Sequence, residues 1–348
     1  MASQPPFPAP LTGSLQLYQK KPIALPYFDS DPDLPHSLVF IPGLTDTIGT
    51  IPYLPELATT IRKHGFSLVQ PQMTCNLGGY GLCSLEGDAQ EMAACVSHLR
   101  STRSKRSGKV VLMGHSTGCQ DIVAYLLSAR RAASALTKID AAVLQAPVSD
   151  REFFELTRSS AEEQVRADMD RELQHATQLH LSGKDAQLVP RKQTEGIALP
   201  TTPEDKPDEA VEGQPNTGNA SAVLAPAMTA YRTWSLNARG GHDDFFSSDL
   251  DDQQITDTHP GARTVGRAIR NLAHGSPNTA RLLALIGEKD EYLPDGAADV
   301  LLSRWTQLLH PTGAFHAMIV PDANHQASTP TATTHLLTTL DDLLQSLA

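Results

Sequence analysis

VVLMGHSTGCQD, residues 110–121, decides how the chain is read. Four apolar residues run straight into Gly114-His115-Ser116-Thr117-Gly118, and a helical pattern runs straight out of it toward residue 129. G-x-S-x-G alone is a common pentapeptide. Between a buried strand and a helix it has the form of a nucleophile elbow, a strained turn that lifts a serine hydroxyl above a sheet edge while flanking glycines admit neighbouring backbone. The competing reading, a plain strand–turn–helix connection, leaves the Gly-x-Ser-x-Gly spacing unexplained. Cys119 reads as a small packing residue.

Outward from this segment the pattern alternates. SLVFI (37–41) is a short buried run ending at Pro42-Gly43. Helical spacing follows over Tyr53–His64, then a strand over Ser67–Gln70, and a helix over Ser84–Leu99 with Leu85, Ala89, Met92 and Val96 on one face. AAVLQ (141–145) is another strand. RLLALI (281–286), a helix near Ala297–Leu309, FHAMIV (315–320) and a closing helix after Thr331 resume the theme. Strand–helix alternation predicts a mostly parallel sheet covered on both faces, the α/β-hydrolase fold when combined with the elbow.

Between Pro147 and Ala280 the alternation breaks. Glu152–His180 is charge-rich with helical spacing, and Val189–Ala227 is rich in Pro, Thr, Glu and Gly. The expected organisation is a core of 1–148 and 277–348 with a cap, 149–276, inserted between the sixth and seventh core strands. A mobile stretch is expected over 189–227.

A serine hydroxyl needs a histidine to take its proton and a carboxylate to orient that histidine, here in the chain order Ser, acid, His. His325, in Pro321-Asp322-Ala323-Asn324-His325 just beyond the FHAMIV strand, fits the base. His316 falls inside that strand and His335 inside the last helix, and both read as structural. Asp290, in LLALIGEKDEYLP, fits the acid, with Glu288, Glu291 and Asp150 (after AAVLQAPVS) as neighbouring alternatives. The oxyanion hole would use the backbone N–H groups of Thr117 and Leu44, with Thr45 as the second choice in the Ile41–Asp46 loop.

Composition narrows the partners. Lys and Arg total 28 against 39 Asp and Glu, a formal charge of −11, which disfavours a general nucleic-acid or anionic-membrane surface. Four cysteines without zinc-like spacing predict neither a disulfide scaffold nor a metal site. No apolar stretch approaches the ~18–20 residues that span a bilayer, and the N-terminus lacks a secretory pattern. These features predict a cytoplasmic enzyme with no cofactor, no metal and a small-molecule ester as its only partner, in an oligomeric state the sequence leaves open.

FIPGLTD, GHSTGCQD, GGHDDFFSSDL, DEYLP and PDANH together resemble a fungal and plant family of α/β-hydrolases long known only as a domain of unknown function. The resemblance covers core and cap and implies a serine esterase acting on a bulky hydroxamate ester of the fusarinine siderophore type, in intracellular iron release. Ser116, Asp290 and His325 lie at that family's triad positions. In the shared GGHDDFFSSDL tract, Asp243 and Asp244 beside Phe245, with Tyr292 after the acid, are expected substrate contacts. The carboxylates would attract a cationic substrate group and the rings would cover its apolar part. A generic carboxylesterase, lipase or thioesterase with the same triad is the alternative. A non-catalytic scaffold would normally have lost the serine or the histidine, and an aspartate would stand at the elbow of a dehalogenase or epoxide hydrolase.

Overall fold

The runs read as buried strands are buried along their whole length: β4 (Phe66–Pro71), β5 (Val110–His115) and β6 (Ala141–Gln145) expose no residue on either face. The computed structural model describes residues 10–128, 137–189, 226–275 and 281–347. The expected mobile stretch 189–227 lies, apart from its ends, outside the described residues, as does the expected cap boundary at 276.

Eight strands form one sheet in the order β1-β2-β4-β3-β5-β6-β9-β10. The five joins from β4 to β10, through β3 (His36–Ile41), β5, β6, β9 (Arg281–Gly287) and β10 (Phe315–Val320), are parallel. β1 (Ser14–Gln19) and β2 (Leu25–Asp29) add an antiparallel edge that the sequence pattern did not announce, because their side chains are partly exposed in a polar, proline-bearing stretch.

Alternate residues of each strand serve opposite faces, as the pleat requires. In β3, Val39 and Ile41 join one core while Leu38 and Phe40 join the other. α1 (Leu54–Arg62) and the closing helix α10 (Pro330–Leu347) cover the second face. α2 (Leu85–Ser101), α3 (Gly118–Leu127) and α9 (Ala297–Leu308) cover the first. The connections reverse direction at β3 and β5, so the crevice beyond the carboxyl ends of these strands is where such sheets hold ligands.

Between the adjacent strands β6 and β9 lie α4 (Asp150–Ser160), α5 (Glu163–Leu181) and a two-stranded ladder of β7 (Leu188–Val189) with β8 (Met228–Thr229). α6 (Ala230–Asn237), α7 (Asp252–Thr256) and α8 (Val265–Gly275) follow. Phe245, Phe246, Leu250, Ile255, Val265, Ala268, Ile269 and Leu272 belong to the first-face core. The insertion's second half is therefore packed into the same core as the sheet's own helices.

Candidate active site

Ser116 follows the last residue of β5 with φ +55°, a left-handed conformation unfavourable for a residue with a Cβ. Its amide donates to the Gln145 carbonyl at 3.1 Å, so the bend is tied to the neighbouring strand. Backbone crowds the turn from the other side. A Cβ added to Gly118 would lie 2.3 Å from the Ile41 carbonyl oxygen, and one added to Gly43 would lie 2.8 Å from the Ser116 Cβ. Only glycine admits that approach, which sets the Gly43–Leu44 peptide beside the serine. Thr45, next in the loop, also has positive φ (+66°).

His325 is 6% exposed, and its Nδ1 stands 3.0 Å from both Asp290 carboxylate oxygens. A carboxylate only accepts, so Nδ1 carries the proton and Nε2 is left as the basic nitrogen. The other acids have different partners. Glu291 accepts the His325 amide at 2.9 Å, and Glu288 accepts the Asp322 amide at 2.7 Å, bracing the turn before the histidine. Asp150 accepts the Thr117 hydroxyl at 3.3 Å and the Gln120 side-chain amide at 2.9 Å. Removal from water, with Asp243 nearby and only partly offset by Arg232, pushes its carboxyl up to about 7.

Gln145 escaped the sequence reading and sits at the centre of this end of the sheet. Its Oε1 accepts the Tyr53 hydroxyl at 2.9 Å and His115 Nδ1 at 2.6 Å, and its Nε2 donates to the His325 carbonyl at 3.0 Å. With its backbone carbonyl on Ser116, this one residue ties the nucleophile turn to the histidine loop. Oε1 cannot donate, so His115 is the Nδ1–H tautomer. Burial, and secondarily His325 with ring centroids 4.9 Å away, depress its basicity to about 3 and keep it neutral. The only sequence signal was a polar residue ending an otherwise apolar strand. Cys119 has both neighbouring carbonyls as partners and a thiol driven far up by burial, in keeping with a packing role.

The acidic tract is placed differently from expectation. Asp243 is 2% exposed and takes two bonds from Arg232 Nη1, at 2.7 and 2.9 Å, and one from the Ser235 hydroxyl. The Asp244 side chain is buried against Arg151 Nε at 2.9 Å and accepts the Ser247 hydroxyl. Phe245 is buried in the core. These three turn inward, whereas Tyr292 stands beside the histidine with its ring centroid 4.3 Å from that of His325.

One group among the described residues has metal-ligand spacing. Cys75, Asp88 and Asp121 offer atoms within 4.8 Å of one another. Burial pushes Asp88 up to about 7 and Asp121 well above the carboxylate range, and Arg232 is the cation that counters both. The lowered acidities fit carboxyls that retain protons beside a guanidinium.

Comparison with known proteins places the chain firmly. A family model described as "Protein of unknown function (DUF1749)" matches residues 1–347. The protein named Esterase AN6793 of Emericella nidulans is 28% identical over 92% of this chain and 88% of its own. The Fusarinine C esterase sidJ of Aspergillus fumigatus is 27% identical over 91% and 90%. The solved structure titled "Siderophore hydrolase EstB from Aspergillus fumigatus" superposes with a TM-score of 0.71 at 25% identity, covering 97% of this chain and 98% of that one. The fold is that of the α/β-hydrolases.

Proposed function

The chain belongs to the family described as Protein of unknown function (DUF1749), and from that premise we propose that it is a serine esterase with Ser116, Asp290 and His325 as its triad. The observation that carries the reading is the Asp290–His325 pair, held at the same end of the sheet as a serine in a strained elbow and joined to it through Gln145.

In the first step Ser116 Oγ attacks the ester carbonyl carbon while His325 Nε2 takes the hydroxyl proton. Asp290 holds the imidazole in the required tautomer and stabilises the imidazolium. The Thr117 and Leu44 amides receive the oxyanion. The tetrahedral intermediate collapses as the imidazolium returns its proton to the leaving alkoxide, giving an alcohol and an acyl-enzyme. Water, deprotonated by the same histidine, then attacks the acyl carbon, and Ser116 leaves with the proton as the carboxylic acid forms. Helix α4, which meets Thr117 through Asp150 and Tyr292 through Phe153, supplies cover for the site.

The substrate class follows the relatives whose names specify one, a fusarinine-type siderophore ester, cleaved so that a bulky hydroxamate loses its hold on iron. No helix among the described residues is long and apolar enough to cross a membrane. Ser116→Ala tests the chemistry. It should abolish labelling by a fluorophosphonate and lower kcat on the order of 10⁴–10⁶-fold, with the fold retained. Undiminished labelling of the variant would remove Ser116 from the role. A panel of siderophore and simple esters assayed with the wild type tests the substrate.

A further inference from the structure

Helix α4 opens the insertion and leans across the proposed active site. Asp150 and Phe153, three apart, share one face of it. Asp150 accepts the hydroxyl of Thr117, the residue after the candidate nucleophile. Phe153 packs on Tyr292 with ring centroids 4.7 Å apart and planes at 41°, and Tyr292 in turn packs on His325 at 4.3 Å and 39°. The same helical face thus touches the serine side of the site at one residue and the histidine side at the other.

Both rings are partly exposed, as are Ser116 and Leu44, so they border the cleft rather than fill a sealed core. Both are also fixed in place. The Tyr292 amide donates to Asp290 Oδ1 at 3.0 Å. The first turn of α4 is anchored by Arg151, whose guanidinium is 1% exposed and engages Asp244, Glu155 and Asp249. Glu152 accepts the amide and hydroxyl of Ser248, and the Ser149 hydroxyl meets that of Ser247 at 2.6 Å. This partly exposed aromatic pair, set on a helix held by the buried Arg151–Asp244 ion pair and packed beside the base, offers ring surface to a group bound in the cleft.

We infer that Phe153 and Tyr292 form a subsite for a planar, π-bearing group of the ester, an aromatic or conjugated moiety stacking on the rings beside the scissile carbonyl. The subsite rests on the serine-esterase reading above and adds a substrate preference to it. Offset or tilted stacking is worth more to a phenyl ring than to a saturated ring of the same size, so matched pairs isolate it.

The test compares ethyl phenylacetate with ethyl cyclohexylacetate, which places the ring on the acyl side. Benzyl acetate against cyclohexylmethyl acetate places it on the alcohol side. In at least one pair the wild type should favour the phenyl member by about fivefold or more in kcat/KM. Phe153→Ala should bring that ratio to about one and Phe153→Tyr should preserve it, with the change carried mainly by KM. Leu156→Ala, on the exposed side of the same helix, should keep the ratio. Ratios near one in both wild-type pairs, or a ratio that survives Phe153→Ala, would overturn the subsite while fluorophosphonate labelling of Ser116 left the esterase reading standing. Absence of labelling would sink both.

Discussion

Two clusters of buried polar side chains flank the proposed nucleophile, and they are built on different principles. Around Gln145 the groups are neutral and partnered: a tyrosine hydroxyl, a neutral imidazole and a peptide carbonyl meet its side chain, and the serine's own amide meets its backbone carbonyl. Around Arg232, carried by α6 of the insertion, a buried guanidinium faces several carboxyl groups that burial favours in the protonated form. Asp88, Asp121, Asp150 and Asp243 all act on a single guanidinium, and Asp88 also meets Cys75 and Asp121. Hydrogen-bonded neutral networks rigidify a core, whereas a buried ionic group is strongly destabilising once one partner is lost. The sheet end holding the reactive atoms is thus fixed under most conditions, and the attachment of the insertion depends on protons and charge.

The comparison is broken most directly by asking which aspartate serves the histidine. Asp290→Asn should reduce kcat roughly 10⁴-fold by favouring the wrong imidazole tautomer. Asp150→Asn should reduce it far less, because Asp150 contacts Thr117 and Gln120 and no histidine. The reverse order in steady-state assays would place the working acid in the charged cluster.

Smaller effects should separate the clusters by kind. Arg232→Met leaves Asp243 buried without its partner and should cost about 3–5 kcal/mol of stability, read by denaturant unfolding. Gln145→Leu frees the histidine loop from the elbow and should lower kcat by about 10- to 100-fold, since a displacement of about 1 Å at a reacting group has that effect, with KM little changed. If Gln145→Leu lost only stability, the hub would be packing and nothing more.

The smallest effect, and the sharpest contrast, is in pH dependence. Asp88 holds its proton more tightly folded than unfolded, so its contribution falls as pH rises from about 4 to about 7. His115 holds its proton less tightly when folded, so its contribution falls as pH drops from about 6.5 toward 3. In thermal unfolding, Asp88→Asn should therefore gain on the wild type as pH rises through that window. His115→Asn should gain on it as pH falls. Slopes of the same sign would show that the clusters are not opposed.

The sequence was legible where local pattern and chemistry coincide. The elbow, the strand before it and the PDANH turn each carry a signature within a few residues, and the structure sets Asp290 and His325 side by side. Gln145 was missed because its role exists only when β5, β6 and the His325 loop meet, and nothing adjacent to it in the chain announces those partners. Asp243 and Asp244 were read as open carboxylates because their cations, Arg232 and Arg151, sit on separate helices. Phe153 was noticed by nobody's periodicity either: it lies in a helix whose first turn is polar, and only α4's crossing over the site gives its ring a purpose.

The insertion divides two strands that lie side by side in the sheet, and this matters during synthesis. β6 leaves the ribosome long before β9, its hydrogen-bonding neighbour, has been translated. At the usual ~5–20 residues per second the nascent chain spends roughly 7–27 seconds with a largely apolar strand edge unpaired. Ser116 has already been made in that interval, while Asp290 and His325, its proposed acid and base, are still to come. A half-made chain is therefore adhesive and catalytically silent, and a chain terminated before residue 281 should be found in aggregates rather than as a partly active enzyme.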